Sequence, residues 1–211
     1  MRITKKTKNE ILGILENTYF DAKPELIFHN SFELLIAVIL SAQCTDKRVN
    51  LVTKKLFELA PDPESIVKLG IEKLEQEIKE CGLYRNKAKN IIAVCKILQE
   101  KYSCTVPDDF NELLSLPGVG RKTANVVSSI AFNRPAIAVD THVFRVSRRL
   151  HLAKGETPEE VERELQKVIP VENWSKAHHW LIWHGRRICR ARKPLCADCP
   201  LKDICPSSNS F

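Results

Sequence analysis

The chain has no apolar stretch long enough to cross a bilayer. Its longest uninterrupted apolar run, from Leu34 to Leu40, is seven residues, where a spanning helix needs roughly 20. No apolar segment follows the charged start Met1-Arg2-Ile3-Thr4-Lys5-Lys6, so no secretory signal is expected. Without one, the eight cysteines are expected to stay out of disulfides, in a reducing compartment. Strand-type alternation is nearly absent, no segment is low-complexity and no internal repeat stands out. What remains is ordinary for a globular protein: 211 residues, 44% apolar and 28% charged. That is enough for one large domain or two small ones with a real core.

Charge is unevenly placed. Residues 1–116 carry 17 basic and 17 acidic side chains, whereas residues 117–211 carry 16 and 9. The whole net charge of +7 therefore lies in the C-terminal part. Between Arg186 and Lys193 there are five basic residues and no acid. A polyanion is the natural partner of such a surface, against the blander reading of a solvated basic face.

Helical punctuation fills the chain and gives an all-α fold of about ten helices, the first near residues 5–18. Val49, Val52, Leu56 and Leu59 fall on one face. Asp62-Pro63-Glu64 reads as an N-cap with Pro at the first helical position. Ile71, Leu74, Ile78 and Cys81 recur at helical spacing, with Gly82 as the stop. Ala88, Ile91, Cys95, Leu98 and Tyr102 form another stripe. Cys81 and Cys95 are thus read as small buried hydrophobes. Asp109 and Glu112 resemble a capping box, and Thr157 with Glu160 a stronger one.

The last 23 residues hold Cys189, Cys196, Cys199 and Cys205, spaced C-x6-C-x2-C-x5-C. Four thiolates in so short a segment make a metal site. A zinc ribbon normally shows two C-x2-C pairs, and only one is present. Iron–sulfur clusters also take four Cys, often with Pro after a ligand, and here Pro200 follows Cys199 and Pro206 follows Cys205. The spacing favours iron–sulfur and leaves zinc open.

Around residues 113–131 a short helix gives way to Leu116-Pro117-Gly118-Val119-Gly120, and a new helix starts near Arg121. Two glycines allow close backbone approach, and the N–H groups at the helix start suit a phosphate without reading sequence. The bland alternative is a tight turn with glycine for geometry alone. Lys122 lies in the first turn of the new helix. Its amine either contacts phosphate or attacks a sugar carbon; the helix dipole and Arg121 both disfavour the ammonium form. Asp140 stands between the strand-like segment 136–139 and a helix over 141–150. It reads as an N-cap, as a carboxylate that stabilises positive charge, or as both.

The segments Leu116-Pro-Gly-Val-Gly-Arg-Lys-Thr-Ala124 and Val139-Asp-Thr-His142, followed by the four-cysteine tail, resemble the endonuclease III family of helix-hairpin-helix DNA glycosylases. Leu40-Ser-Ala-Gln43 and Gly82-Leu-Tyr-Arg-Asn-Lys-Ala88 extend the likeness to nearly the whole chain. The resemblance implies a base excision repair enzyme that removes oxidised pyrimidines from damaged double-stranded DNA and cleaves the abasic strand by β-elimination. Lys122 would be the Schiff-base nucleophile and Asp140 the catalytic carboxylate. One 4Fe-4S cluster would sit on Cys189, Cys196, Cys199 and Cys205. Gln43 and Leu83 would fill the gap left by a flipped nucleotide. Gly118, Val119, Gly120, Arg121, His142, Arg145, Arg190, Arg192 and Lys193 would contact DNA, with Arg148 and Arg149 adding phosphate affinity.

The implied architecture is a six-helix domain over residues 24–134 and a discontinuous domain of residues 1–23 plus 135–211, with a DNA-binding cleft between them. A monomer in the bacterial or archaeal cytoplasm, without membrane attachment, is expected. Three rivals remain. Monofunctional mismatch glycosylases lack the lysine and carry a further C-terminal domain, for which six residues after Cys205 leave no room. The others are a zinc-stapled DNA-binding protein and a ferredoxin-type electron carrier.

Overall fold

The computed structural model describes residues 3–208. Among these the chain forms α1 (Lys5–Thr18), α2 (Ser31–Ser41), α3 (Asp46–Leu59), α4 (Pro63–Leu69), α5 (Ile71–Ile78), α6 (Tyr84–Tyr102), α7 (Phe110–Ser115), α8 (Arg121–Ala131), α9 (Thr141–Arg149), α10 (Pro158–Val168) and α11 (Trp174–Arg187), with one 3-10 turn at Val171–Asn173. No strand occurs among the described residues, and none of their helices is long and apolar enough to cross a membrane. Two compact units result: Pro24–Arg134, and the chain up to Lys23 with that from Pro135 on.

The first unit is built around α2. Its residues from Phe32 to Leu40 are all buried, as an all-round apolar helix must be; α3, α6 and α8 pack against it. Ile91, Val94, Cys95 and Leu98 of α6 are fully buried in the same core, so Cys95 and Cys81 do behave as small hydrophobes. Asp62 caps α4 through a reciprocal box with Ser65. The unit has seven helices rather than six, because Gly70 at φ +80° breaks residues 63–78 into two short ones, a conformation that only glycine adopts cheaply. Leu59 departs from its expected face: it ends α3 and is 54% exposed. Gly82 stops no helix, since α5 already ends at Ile78.

In the second unit α11 packs against α1 and α9, and α10 packs against α9. Ile11, Leu15, Val143, Val146, Leu165 and Leu181 are fully buried. Thr157 and Glu160 form the expected capping box. Asp109 caps α7 from its side chain, without the return bond from Glu112. Residues 136–139 are buried but form no strand; His178 donates from Nδ1 to the Ala138 carbonyl at 2.8 Å.

Burial, and then His178 beside it, push His179 down to about 3. The unfolded ring takes up its proton near the ordinary value of about 6.5, so stability owed to the neutral ring is complete above that pH. It is lost progressively as pH falls from there toward the folded value. Urea midpoints should therefore drop on acidification from about pH 7 to about pH 5, and His179→Phe should flatten the slope; parallel slopes would sink this.

Candidate functional site

The hairpin is a tight turn between α7 and α8. Leu116 and Val119 are buried beneath it, and Val119 donates its N–H to the Leu116 carbonyl at 3.0 Å. Val119 thus anchors the turn from inside. The two glycines serve different purposes. Gly118 has φ +75°, and a Cβ there would stand 2.5 Å from Nδ2 of Asn90. Gly120 is the N-cap of α8, and a Cβ there would meet nothing within 4 Å: the space in front of it is open. α8 has no side-chain cap and no acid in its first turn. Among the described residues no acceptor takes the N–H of Gly118 or Gly120. An uncapped positive helix end with open space before it suits a phosphate oxygen. Arg121 and Lys122 follow, both exposed, with Arg121 over the Phe110 ring.

Gln43 and Leu83 occupy the links α2–α3 and α5–α6 of the same unit. Both are exposed and both are left-handed, at φ 54° and 57°. That conformation costs a non-glycine residue about 1 kcal/mol or more. Leu83 is 59% exposed, an uncommon setting for a large apolar side chain.

In the other unit Asp140 caps α9. Its Oδ1 accepts from the N–H of His142 at 2.9 Å and of Val143 at 2.7 Å. No hydrogen bond among the described residues reaches Oδ2, so one oxygen holds the helix and the other is available for chemistry. His142 is half-buried, and burial lowers its pKa. Its Nδ1 accepts from Arg145 at 3.1 Å, because a guanidinium can only donate.

Arg145, expected on DNA, is turned inward. It also donates to the carbonyls of Gly185 at 3.0 Å and Cys189 at 3.1 Å. A fork of fixed donors is better used on buried carbonyls that would otherwise go unpaired. Arg149 likewise reaches the carbonyls of Arg190 and Ala191 and holds the following loop. Arg186, Arg187, Arg190, Arg192 and Lys193 remain exposed.

Cys189, Cys196, Cys199 and Cys205 line one cavity, walled also by Leu150, Ile188 and Leu195. Burial raises the thiol pKa of Cys199, and so do the other three sulfurs, which places all four within electrostatic reach of one another. No three His, Cys, Asp or Glu among the described residues converge on one ion-sized point. Four cysteines lining one cavity fit the four-thiolate set that holds an iron–sulfur cluster. Donors already surround the sulfurs: Arg149 Nη1 lies 3.5 Å from Cys189 Sγ, and the Leu201 N–H 3.4 Å from Cys199 Sγ. Such bonds tune a thiolate-held cluster.

Comparison with known proteins agrees with this geometry. Residues 36–171 match the model of the HhH-GPD superfamily of base excision DNA repair proteins, and residues 189–205 match the iron–sulfur binding domain of endonuclease III. Endonuclease III of Rickettsia conorii is 56% identical over 93% of this chain and 94% of its own. That of Escherichia coli K12 is 50% identical over 96% of both. A solved structure of a trapped endonuclease III–DNA covalent intermediate superposes with a TM-score of 0.95, at 51% identity, covering 99% of this chain and 98% of that one.

The chain belongs to the endonuclease III family. It is a base excision DNA repair enzyme, a DNA glycosylase and abasic-site lyase, and it carries one 4Fe-4S cluster. Membership removes the zinc-stapled and ferredoxin readings. Two participants escaped the sequence reading of this endonuclease III relative. Asn90 dictates glycine at position 118, and Lys87 is a buried lysine in the stripe Lys87, Ile91, Val94, Leu98. A lysine inside an apolar helical stripe was the available signal.

Gly118→Ala should lower both stability and DNA affinity, with strain of about 1–3 kcal/mol. Adding Asn90→Ala should recover only the part due to the clash; full recovery would refute the backbone argument. Cys199→Ser should reduce iron and sulfide content and visible absorbance, and full retention of both would exclude Cys199 as a ligand.

Proposed function

We propose that Lys122 is the nucleophile and Asp140 the carboxylate of a bifunctional glycosylase acting on oxidised pyrimidines. The observation that carries this is the exposed Lys122 in the first turn of α8, two residues beyond the open N-cap Gly120. A phosphate held by the N–H groups of the hairpin fixes the DNA backbone beside that amine. The relative trapped as a covalent DNA intermediate supports attack by a protein group.

In this reading the neutral amine forms a bond to C1′ and the damaged base leaves with the glycosidic electron pair and a proton. The C1′–O4′ bond then breaks as the lone pair of the amine nitrogen closes the C=N bond and the ring oxygen takes a proton, and the resulting protonated Schiff base acidifies the 2′ carbon. Loss of a 2′ proton breaks the C3′–O bond, the 3′ phosphate leaves, and water returns the free lysine. The free oxygen of Asp140 stabilises positive charge developing on the sugar or takes the proton of the attacking amine. No step changes the net oxidation state, so the cluster serves as a rigid support. Cys189, Cys196, Cys199 and Cys205 would hold it, and the loop between the first two of them would present Arg190, Arg192 and Lys193 to DNA phosphates. Gln43 and Leu83 enter the gap left by the flipped nucleotide, Gln43 toward the orphaned base and Leu83 as an apolar wedge. The enzyme works as a monomer in the bacterial cytoplasm.

Borohydride reduction on duplexes carrying thymine glycol or an abasic site should give a covalent protein–DNA band with the wild type and none with Lys122→Ala; a band of equal intensity from the variant would reject this nucleophile. Asp140→Asn should cut base release by about 100-fold or more yet shift the urea midpoint little, because Asn caps a helix as well as Asp. A large loss of stability would mean that the carboxylate is chiefly structural.

A further inference from the structure

Lys87 is only 5% exposed. It stands in the first turn of α6, where its backbone N–H bonds the Leu83 carbonyl at 3.1 Å. Its side chain runs the other way. Nζ donates to the Leu40 carbonyl at 2.9 Å and to the Ala42 carbonyl at 2.7 Å. Those carbonyls belong to the C-terminal end of α2, where helical acceptors have no intrahelical partner and where the dipole favours a cation. No carboxylate among the described residues pairs with Nζ; Cys81 and Cys44 are the titratable groups that face it. Burial lowers the pKa of Lys87, while two carbonyl acceptors and the helix end hold the charge in place.

Gln43 follows directly on Ala42, and its carbonyl oxygen lies 3.4 Å from where a Cβ on Gly82 would stand. Leu83 follows Gly82. One lysine therefore bonds to both sides of the place where the two exposed left-handed residues meet. Each of them is in a conformation that an L residue leaves unless its surroundings fix it.

We infer that Lys87 is a positioning residue that locks Gln43 and Leu83 into one rigid two-pronged element and thereby sets how well the enzyme holds a nucleotide out of a duplex. The inference rests on the proposed gap-filling roles of those two side chains. Lys87 touches neither DNA nor the reacting atoms. Its effect appears only where a base stack has to be entered, because single-stranded DNA has no orphaned partner and no stack to wedge apart.

The test compares lyase rates on an abasic site in duplex and in single-stranded DNA, using the complete cluster-bearing protein. Lys87→Met keeps the length of the side chain and leaves both carbonyls without their donor. The duplex rate should fall about tenfold or more, as misplaced positioning groups commonly cost, with the single-strand rate changed less than about threefold. The fluorescence rise of 2-aminopurine placed opposite the abasic site, a report on stack opening, should shrink in parallel. Equal losses on both substrates, or no loss on the duplex, would overturn the inference. Should Lys87→Met fail to fold, Lys87→Gln keeps a donor on a shorter arm; it should show the same duplex-specific loss in smaller measure, and a duplex-to-single-strand ratio equal to the wild type would overturn the inference. Gln43→Ala and Leu83→Ala separate the two layers. If neither changes that ratio, the gap-filling reading has failed. If both do and Lys87→Met does not, the positioning role alone has failed.

Discussion

Helix ends are the constraint on which this molecule is organised. Each α-helix leaves N–H groups without acceptors at its start and carbonyls without donors at its finish. Most starts here are closed by a side chain: Thr4, Asn30, Thr45, Asp62, Asp109, Asp140 and Thr157 each accept from the first turn of their helix. The exceptions include α6 and α8, which begin at Leu83 and Gly120 without a capping side chain. Those are also the two helices that carry the expected wedge and the expected nucleophile. A missing cap is costly in a protein that never meets a ligand. It becomes useful where the ligand is an anion that supplies the acceptor.

The buried α2 gives these ends a fixed frame. With every residue from Phe32 to Leu40 out of solvent, it has no freedom to rotate or slide without exposing apolar surface, at a cost of about 25 cal/mol per Å². Its C-terminus delivers the Gln43 turn, and α6 and α8 pack directly on it. The turns that present Gln43, Leu83 and the Gly118–Gly120 hairpin are thus all anchored to one core. In the second unit, α11 plays the corresponding part for the cysteine loop, since Cys189 follows its last turn and Arg145 and Arg149 of α9 stitch that loop down.

Local features were legible in the sequence because their causes are local. The capping box of Thr157 with Glu160, the cap at Asp62 and the N-cap at Asp140 depend on residues at most three apart, and each is found. Features set by partners distant in the chain were not legible. Gly118 looked like a ligand-driven glycine, and half of its reason is Asn90, 28 positions earlier. Arg145 looked like a phosphate contact, and its acceptors Gly185 and Cys189 lie 40 and 44 residues on. Leu59 failed because helical periodicity continues past the point where α3 runs out of neighbours. Nothing within a few residues of Lys87 announces that carbonyls 45 and 47 positions earlier take its charge.

Lys122 and Lys87 show how helix ends sort identical side chains. Lys122 sits at the start of α8, where the dipole works against an ammonium, and it is exposed. Lys87 extends from α6 to the finish of α2, where the dipole and two carbonyls favour the ammonium, and burial denies it any substrate. An amine that must attack needs the first setting and one that must hold a turn needs the second. Neither assignment follows from residue type, since both lysines fall near the start of their own helices. What separates them is which end of which helix the amine meets, and that is decided by the packing of α6 and α8 on α2.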